Sequence, residues 1–201
     1  MTPRVFASRI LLFLALALGG AGLDLATKSI VFQAVGEPGS PPRSVVGEVL
    51  ELRTSYNKGA LWGFGRSVPH SSLIFAGLSV VAGAAIVGWL FVGGAAASLP
   101  LTVALGLIMA GAIGNCHDRL VFGHVRDFVH FHVDSVGFNW AIFNVADVML
   151  VCGACTLVLF ALRPDPVPTP EPGPEAGEAA DLDDAAPAPH ARDAESARAS
   201  S

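Results

Sequence analysis

The stretch "FNVADVMLVCGACTLVLF", Phe143 to Phe160, carries one carboxylate, Asp147, with Asn144 one turn before it. A helix that crosses a bilayer needs about 20 mostly apolar residues, with a usable range of about 17–25. An ionised side chain inside such a segment is costly, so it marks a functional site until its partners show otherwise. Reading the chain means finding those partners.

Three further stretches have the length and apolarity of spans. One runs from about Ile10 to Phe32, interrupted by Asp24 and Lys28; the others run from Ser72 to about Gly94 and from Pro100 to about Cys116. The fourth starts near Phe143 and ends before Arg163. Only "GAAAS" separates the second from the third, so those two are antiparallel neighbours. Longer connections run from about Gln33 to Ser71 and from His117 to Ile142. The amino terminus also has the basic start and short apolar run of a cleaved signal peptide. Resumption of apolar character at "SIVF" beyond Lys28 favours a full span.

The 201 residues are 52% hydrophobic and 14% charged, and the charge is uneven. Nine of the seventeen acids and two of the twelve bases lie beyond Arg163, in a segment of Pro, Ala and acid without an aromatic residue. Such a segment cannot bury enough apolar surface to offset ordering entropy. The expected organisation is therefore a membrane unit over residues 1–163 and a disordered Pro/Ala/acid-rich tail over 164–201. The formal net charge of -5 arises in the tail and says nothing about ligands of the remainder.

Arg4 and Arg9 before the first span and Arg163 after the fourth place both termini in the cytoplasm by the positive-inside rule. Both long connections then face outward. The first and third helices run outward, bringing Asp24 and Lys28 of one, and Asn115, Asp118 and Arg119 of the other, to the outer end. The fourth runs inward and starts there with Asn144 and Asp147. The outer connections add "YNKGALWGF" and "GHVRDFVHF". The inner halves of the spans carry no charge, so the polar residues gather at one surface.

Asp127 and Asp147 are the candidate chemical pair. Two aspartates brought close cannot both ionise easily, so the pair shares a proton and can activate water for attack on a peptide carbonyl. The competing reading makes Asp147 a helix cap or an ion-pair partner of Arg119. A small four-span proton-coupled transporter or channel is the rival function, and it demands charge throughout the membrane depth.

"DLATK" (Asp24 to Lys28), "NKGALWGF" (Asn57 to Phe64), "GNCHDRLVFGHVRDFVHF" (Gly114 to Phe131) and "FNVAD" (Phe143 to Asp147) occur in one order on a four-span chain. In this the chain resembles the lipoprotein signal peptidases, or signal peptidase II, over about residues 10–163. The resemblance implies an all-α integral membrane protein of four transmembrane helices, with a small extracytoplasmic β-cradle formed in the first outer connection. It implies an aspartic endopeptidase of the bacterial inner membrane that cuts prolipoproteins before a diacylglyceryl-modified cysteine. The catalytic pair falls on Asp127 and Asp147, without metal or other cofactor. Supporting and substrate-binding roles fall on Asp24, Lys28, Asn57, Gly59, Asn115, Arg119 and Asn144. Membrane lipid and prolipoprotein are the implied partners, nucleic acid is not one, and a monomer is expected. Leu25 and Ala110 depart from the family's usual glutamine and glycine, away from the pair.

Other features read as structural. A zinc site among His117, His124, His130 and His132 is the weaker reading, because their spacing matches no standard site, although His130 and His132 share a face if extended. Cys152 and Cys155 read as small packing residues, and Gly106, Gly111 and Gly114 as sites of close helix approach. Trp62, Trp89 and Trp140 suit membrane interfaces, and Trp62 and Trp140 equally suit a substrate groove.

Overall fold

A computed structural model describes residues 1–59, 64–65 and 67–163; Trp62 and the tail lie outside the described residues. Four helices form the body: α1 (Pro3–Val35), α2 (Ser71–Phe91), α3 (Leu99–Val121) and α4 (Val145–Ala161). The first three are long and apolar enough to cross a membrane, and α4 is a shorter apolar helix of 17 residues. Local chemistry sets their ends. Thr2 and Ser98 cap α1 and α3, each followed by a proline in the first turn, where no N–H is needed. The third helix runs past the apolar span that ends near Cys116 and takes in the polar residues expected at its outer end. It continues until Gly123, whose φ of 75° suits the left-handed position past a helix end, and whose N–H bonds to Arg119 O at 3.2 Å. Asp118 and Arg119 are thereby helical.

The helix α3 is the central one and packs against each of the others. Its apolar window is 61% buried, against 22% for α1 and 17% for α2. Small residues bring the axes together. A Cβ at Gly106 would meet Leu16 of α1 at 3.0 Å, and one at Gly153 of α4 would meet Ala104 O of α3 at 2.8 Å. Outward, α2 exposes Leu73, Ile74, Leu78, Val80 and Val81, so its solvent is lipid rather than water. Cys152 and Cys155, expected among packing residues, are exposed free thiols on α4.

A four-stranded antiparallel sheet caps one end of the bundle: β1 (Arg43–Val46), β2 (Leu50–Asn57), β3 (Val125–Val133) and β4 (Phe138–Asn139), in that order. The small sheet beside an otherwise all-α body is the expected cradle, but it is not made by the first connection alone, because β3 and β4 come from the second. Leu52 pairs with Val129 while Ser55 pairs with Asp127, so β2 holds one extra residue there. Such a bulge bends a strand and re-aims its side chains. It lies beside Asp127.

Candidate active site

The site is assembled where β3 meets the start of α4. Phe143 O accepts from Phe128 N at 3.0 Å and Val129 N at 2.8 Å, and Phe143 N donates to Val129 O at 3.0 Å. This clamp fixes the residue before α4 onto the strand that carries Asp127. The next residue, Asn144, is the N-cap: its Oδ1 accepts from Asp147 N at 3.0 Å, and its own N–H donates to Asp147 Oδ2 at 3.1 Å. This reciprocal capping box satisfies two N–H groups that a helix start would leave unpaired. Asp147 is thus a cap, as the competing reading held, and more than a cap. Its Oδ1 accepts from Asn115 Nδ2 at 2.8 Å. Asn144 Nδ2 donates to Asp127 Oδ1 at 2.6 Å, so one fully buried asparagine touches both aspartates.

A cationic layer lies behind the pair. Lys28 Nζ sits 2.7 Å from Asp24 Oδ2 and 3.2 Å from Asp118 Oδ2, and it donates to Asn115 Oδ1 at 2.9 Å. All three charged side chains are fully buried. The other oxygen of Asp24 accepts from Ala146 N at 2.9 Å, taking a further open N–H of the α4 start. Asp118 also binds Arg126, through Nη2 at 2.8 Å and the backbone N–H at 3.0 Å. Buried charges persist only when paired and hydrogen-bonded, and each of these is.

The first connection is held by Arg119, whose Nη2 donates to Gly59 O at 3.1 Å. Asn57 turns the chain by accepting from Gly59 N at 2.9 Å, and its side chain hydrogen-bonds Asp127. All nine residues singled out for the site therefore join one network. Sequence reasoning placed Asp118 at the right end without assigning it a role, and it left out Arg126. Their signal was opposite charges eight residues apart across the Gly123 turn.

Burial is the main cause, with the nearby Asp147 charge next, that pushes the Asp127 carboxyl up to about 7, against the opposing hydrogen bonds from Asn144 and Asn57. A stability effect follows. In the unfolded chain the carboxyl titrates near 3.8, so between pH 4 and 7 the folded state holds the proton that the unfolded state releases. Stability is fully present below that range and is lost as pH rises through about 7, by roughly 4 kcal/mol in total. The expected result is that Asp127→Asn unfolds at a higher temperature than the parent above pH 7, with the gap closing towards pH 4. Thermal unfolding in detergent across that pH range checks it.

Space around the pair is open to the side. A cleft of about 400 Å³ between α2 and α4, floored by α3, reaches Asn115, Arg119 and Asp147 past Phe75, Leu78 and Leu150. A second, of about 240 Å³, lies beside α4 between Trp140, Phe143 and Asp147. Gly114 is more than a site of close approach, because a Cβ there would collide with the Asp24 carboxylate. Gly114→Ala is expected to destabilise by about 1–3 kcal/mol and to depress turnover by displacing Asp24 from Ala146. Paired melting and rate measurements on the variant test this, and an unchanged rate would show that Asp24 is not a fixed support.

Fold and site together place an acidic pair, held by a small sheet, at one end of a bundle in which three helices are long and apolar enough to cross a membrane. The profile of the family described as Signal peptidase (SPase) II matches residues 16–163. "Lipoprotein signal peptidase" of Rhodopirellula baltica is 39% identical over 165 residues, covering 76% of this chain and 72% of that one. The protein of the same name from Methylobacterium sp. is 34% identical over 167 residues, covering 78% and 98%. Two solved structures described as "Bacterial membrane enzyme structure by the in meso method" superpose with TM-scores of 0.66 and 0.65 at 26% identity. They cover 80% and 79% of this chain and 94% and 95% of their own. The chain belongs to the signal peptidase II family, and is thus a protease of bacterial type with membrane-capable helices.

Proposed function

We propose that the chain is an aspartic endopeptidase that removes the signal peptide from prolipoproteins, cutting before the diacylglyceryl-modified cysteine. The carrying observation is Asn144, which donates from its side chain to Asp127 and from its backbone to Asp147. That bridge holds the two carboxyls around one reaction centre. The pair shares one proton near neutral pH. Asp147, whose oxygens accept from N–H groups of Asn144 and Asn115, takes a proton from water. The resulting hydroxide adds to the scissile carbonyl, and Asp127, whose carboxyl is raised to about 7, protonates the departing amine. Lys28 and Arg119 keep the local charge balanced and take no proton.

The α4 helix acts as the fourth span, with both termini cytoplasmic, and residues 1–163 work as a monomeric peptidase unit. The signal helix enters sideways through the α2–α4 cleft, while the acyl chains stay in lipid. A transporter would carry charge through the membrane depth, whereas among the described residues the fully buried charges Asp24, Lys28 and Asp118 belong to the network at the sheet end. Incubating purified chain with diacylglyceryl-modified and unmodified prolipoprotein tests this, with product masses as the readout. The expected result is a cut before the modified cysteine only. Equal cutting of both substrates, or a cut elsewhere, overturns the assignment.

A further inference from the structure

The sheet holds a second cluster that this chemistry does not use. His130 and His132 lie on one face of β3, their rings stacked with centroids 4.8 Å apart, and Glu51 of β2 pairs with His130 in register. One nitrogen of each ring meets an oxygen: His130 Nε2 lies 2.8 Å from Asn139 Oδ1, and His132 Nδ1 lies 3.0 Å from Asp134 Oδ1. The tautomers that carry each ring N–H on that side are compatible with these contacts. The remaining nitrogens then present lone pairs to the Glu51 carboxylate, His130 Nδ1 at 2.8 Å from Oε1 and His132 Nε2 at 3.7 Å from Oε2. Two lone pairs aimed at a carboxylate repel it unless a cation stands between them.

We propose that Glu51, His130 and His132 bind a zinc ion, with water as the fourth ligand. One donor atom from each residue lies within 4.8 Å of the others. Tetrahedral zinc with bonds of about 2.0–2.2 Å sets its donors about 3.3 Å apart, between the two observed separations, so small side-chain rotations close the site. Asn139 and Asp134 supply the outer hydrogen bonds that orient zinc-bound imidazoles. The ligands are shielded, with side-chain exposures of 6% for His130, 15% for His132 and 16% for Glu51. Arg53 Nη1 approaches Glu51 at 3.9 Å but is 54% exposed and turns readily to solvent. Zinc here would staple β2 to β3 and to the hairpin whose far end leads to Phe143 and Asn144. It is a structural clasp, remote in chemistry from the peptide-cutting step.

The test uses tag-free full-length chain, titrated with zinc chloride by calorimetry and with cobalt(II) by visible absorption. Expected are one zinc per chain, a midpoint of thermal unfolding that rises until that site is full, and the absorption bands of four-coordinate cobalt. Glu51→Gln and His132→Gln should each weaken zinc binding by at least about 10²-fold, Asp134→Asn by about 10–100-fold, and His117→Gln not at all. Failure of the wild type to take up one equivalent overturns the proposal, as does binding that persists in both ligand variants. If those variants do not fold, wild-type cobalt spectra decide, and the absence of four-coordinate bands sinks the site. A histidine pair that titrates with pH but ignores zinc would show that the bridging cation is a proton, which also overturns it.

Discussion

Asp147→Asn is expected to yield a folded chain that no longer cuts prolipoprotein. The asparagine has the same shape, and its carbonyl oxygen can still accept from Asn144 N–H, so the start of α4 survives. What it loses is the negative charge that, in the proposed mechanism, takes the proton from water. Removing a general base costs about 10²–10⁴-fold, and the members of one catalytic unit fail together rather than additively. Turnover should fall by at least about 10³-fold in Asp147→Asn and in Asp127→Asn, with the double variant scarcely worse than either. Initial rates from a gel-shift assay, beside a melting curve for each variant, provide the readout. A variant that cuts at the parent rate would reduce its aspartate to a cap. The search would then pass to Asp24 and Asp118, both already bound to Lys28.

Lys28→Met should be the most damaging change to stability. The apolar stem is replaced almost atom for atom, but two fully buried carboxylates lose their shared cation. Arg126 still serves Asp118, through its guanidinium and its backbone. Asp24 keeps only the Ala146 N–H. Stranding a buried charge costs about 3–5 kcal/mol, equivalent to a fall of roughly 6–20 °C in the unfolding midpoint for a domain of this size. The double variant Asp24→Asn with Lys28→Met should recover most of that loss, because the remaining group is neutral. If the double variant melts as low as Lys28→Met alone, the damage comes from packing rather than charge.

The same residues show how far the sequence reaches. Four apolar segments could be read directly, because helix length and hydropathy are local properties with a bilayer as the yardstick. The clustering of Asp24, Lys28, Asn115, Arg119, Asn144 and Asp147 at one end followed from counting spans, since each crossing reverses direction. Asn144 and Asp147, three apart, announced a cap. The sequence left open how the two outer connections meet. β3 pairs with β2 across some 70 residues, and although both strands alternate apolar and polar side chains, as in Leu50-Glu51-Leu52-Arg53 and Val129-His130-Phe131-His132-Val133, alternation marks a strand without naming its partner. That pairing brings Glu51 to His130 and His132, a set that no spacing along the chain reveals. It also puts Asp127 beside Asn57, and the Phe143 clamp puts Asp127 beside Asn144. The sequence by itself determined which residues were polar and at which end of the bundle they lie. Only the tertiary structure decided which atoms meet, because hydrogen bonds form over about 3 Å, a distance set by strand register and by how closely glycines let helices approach.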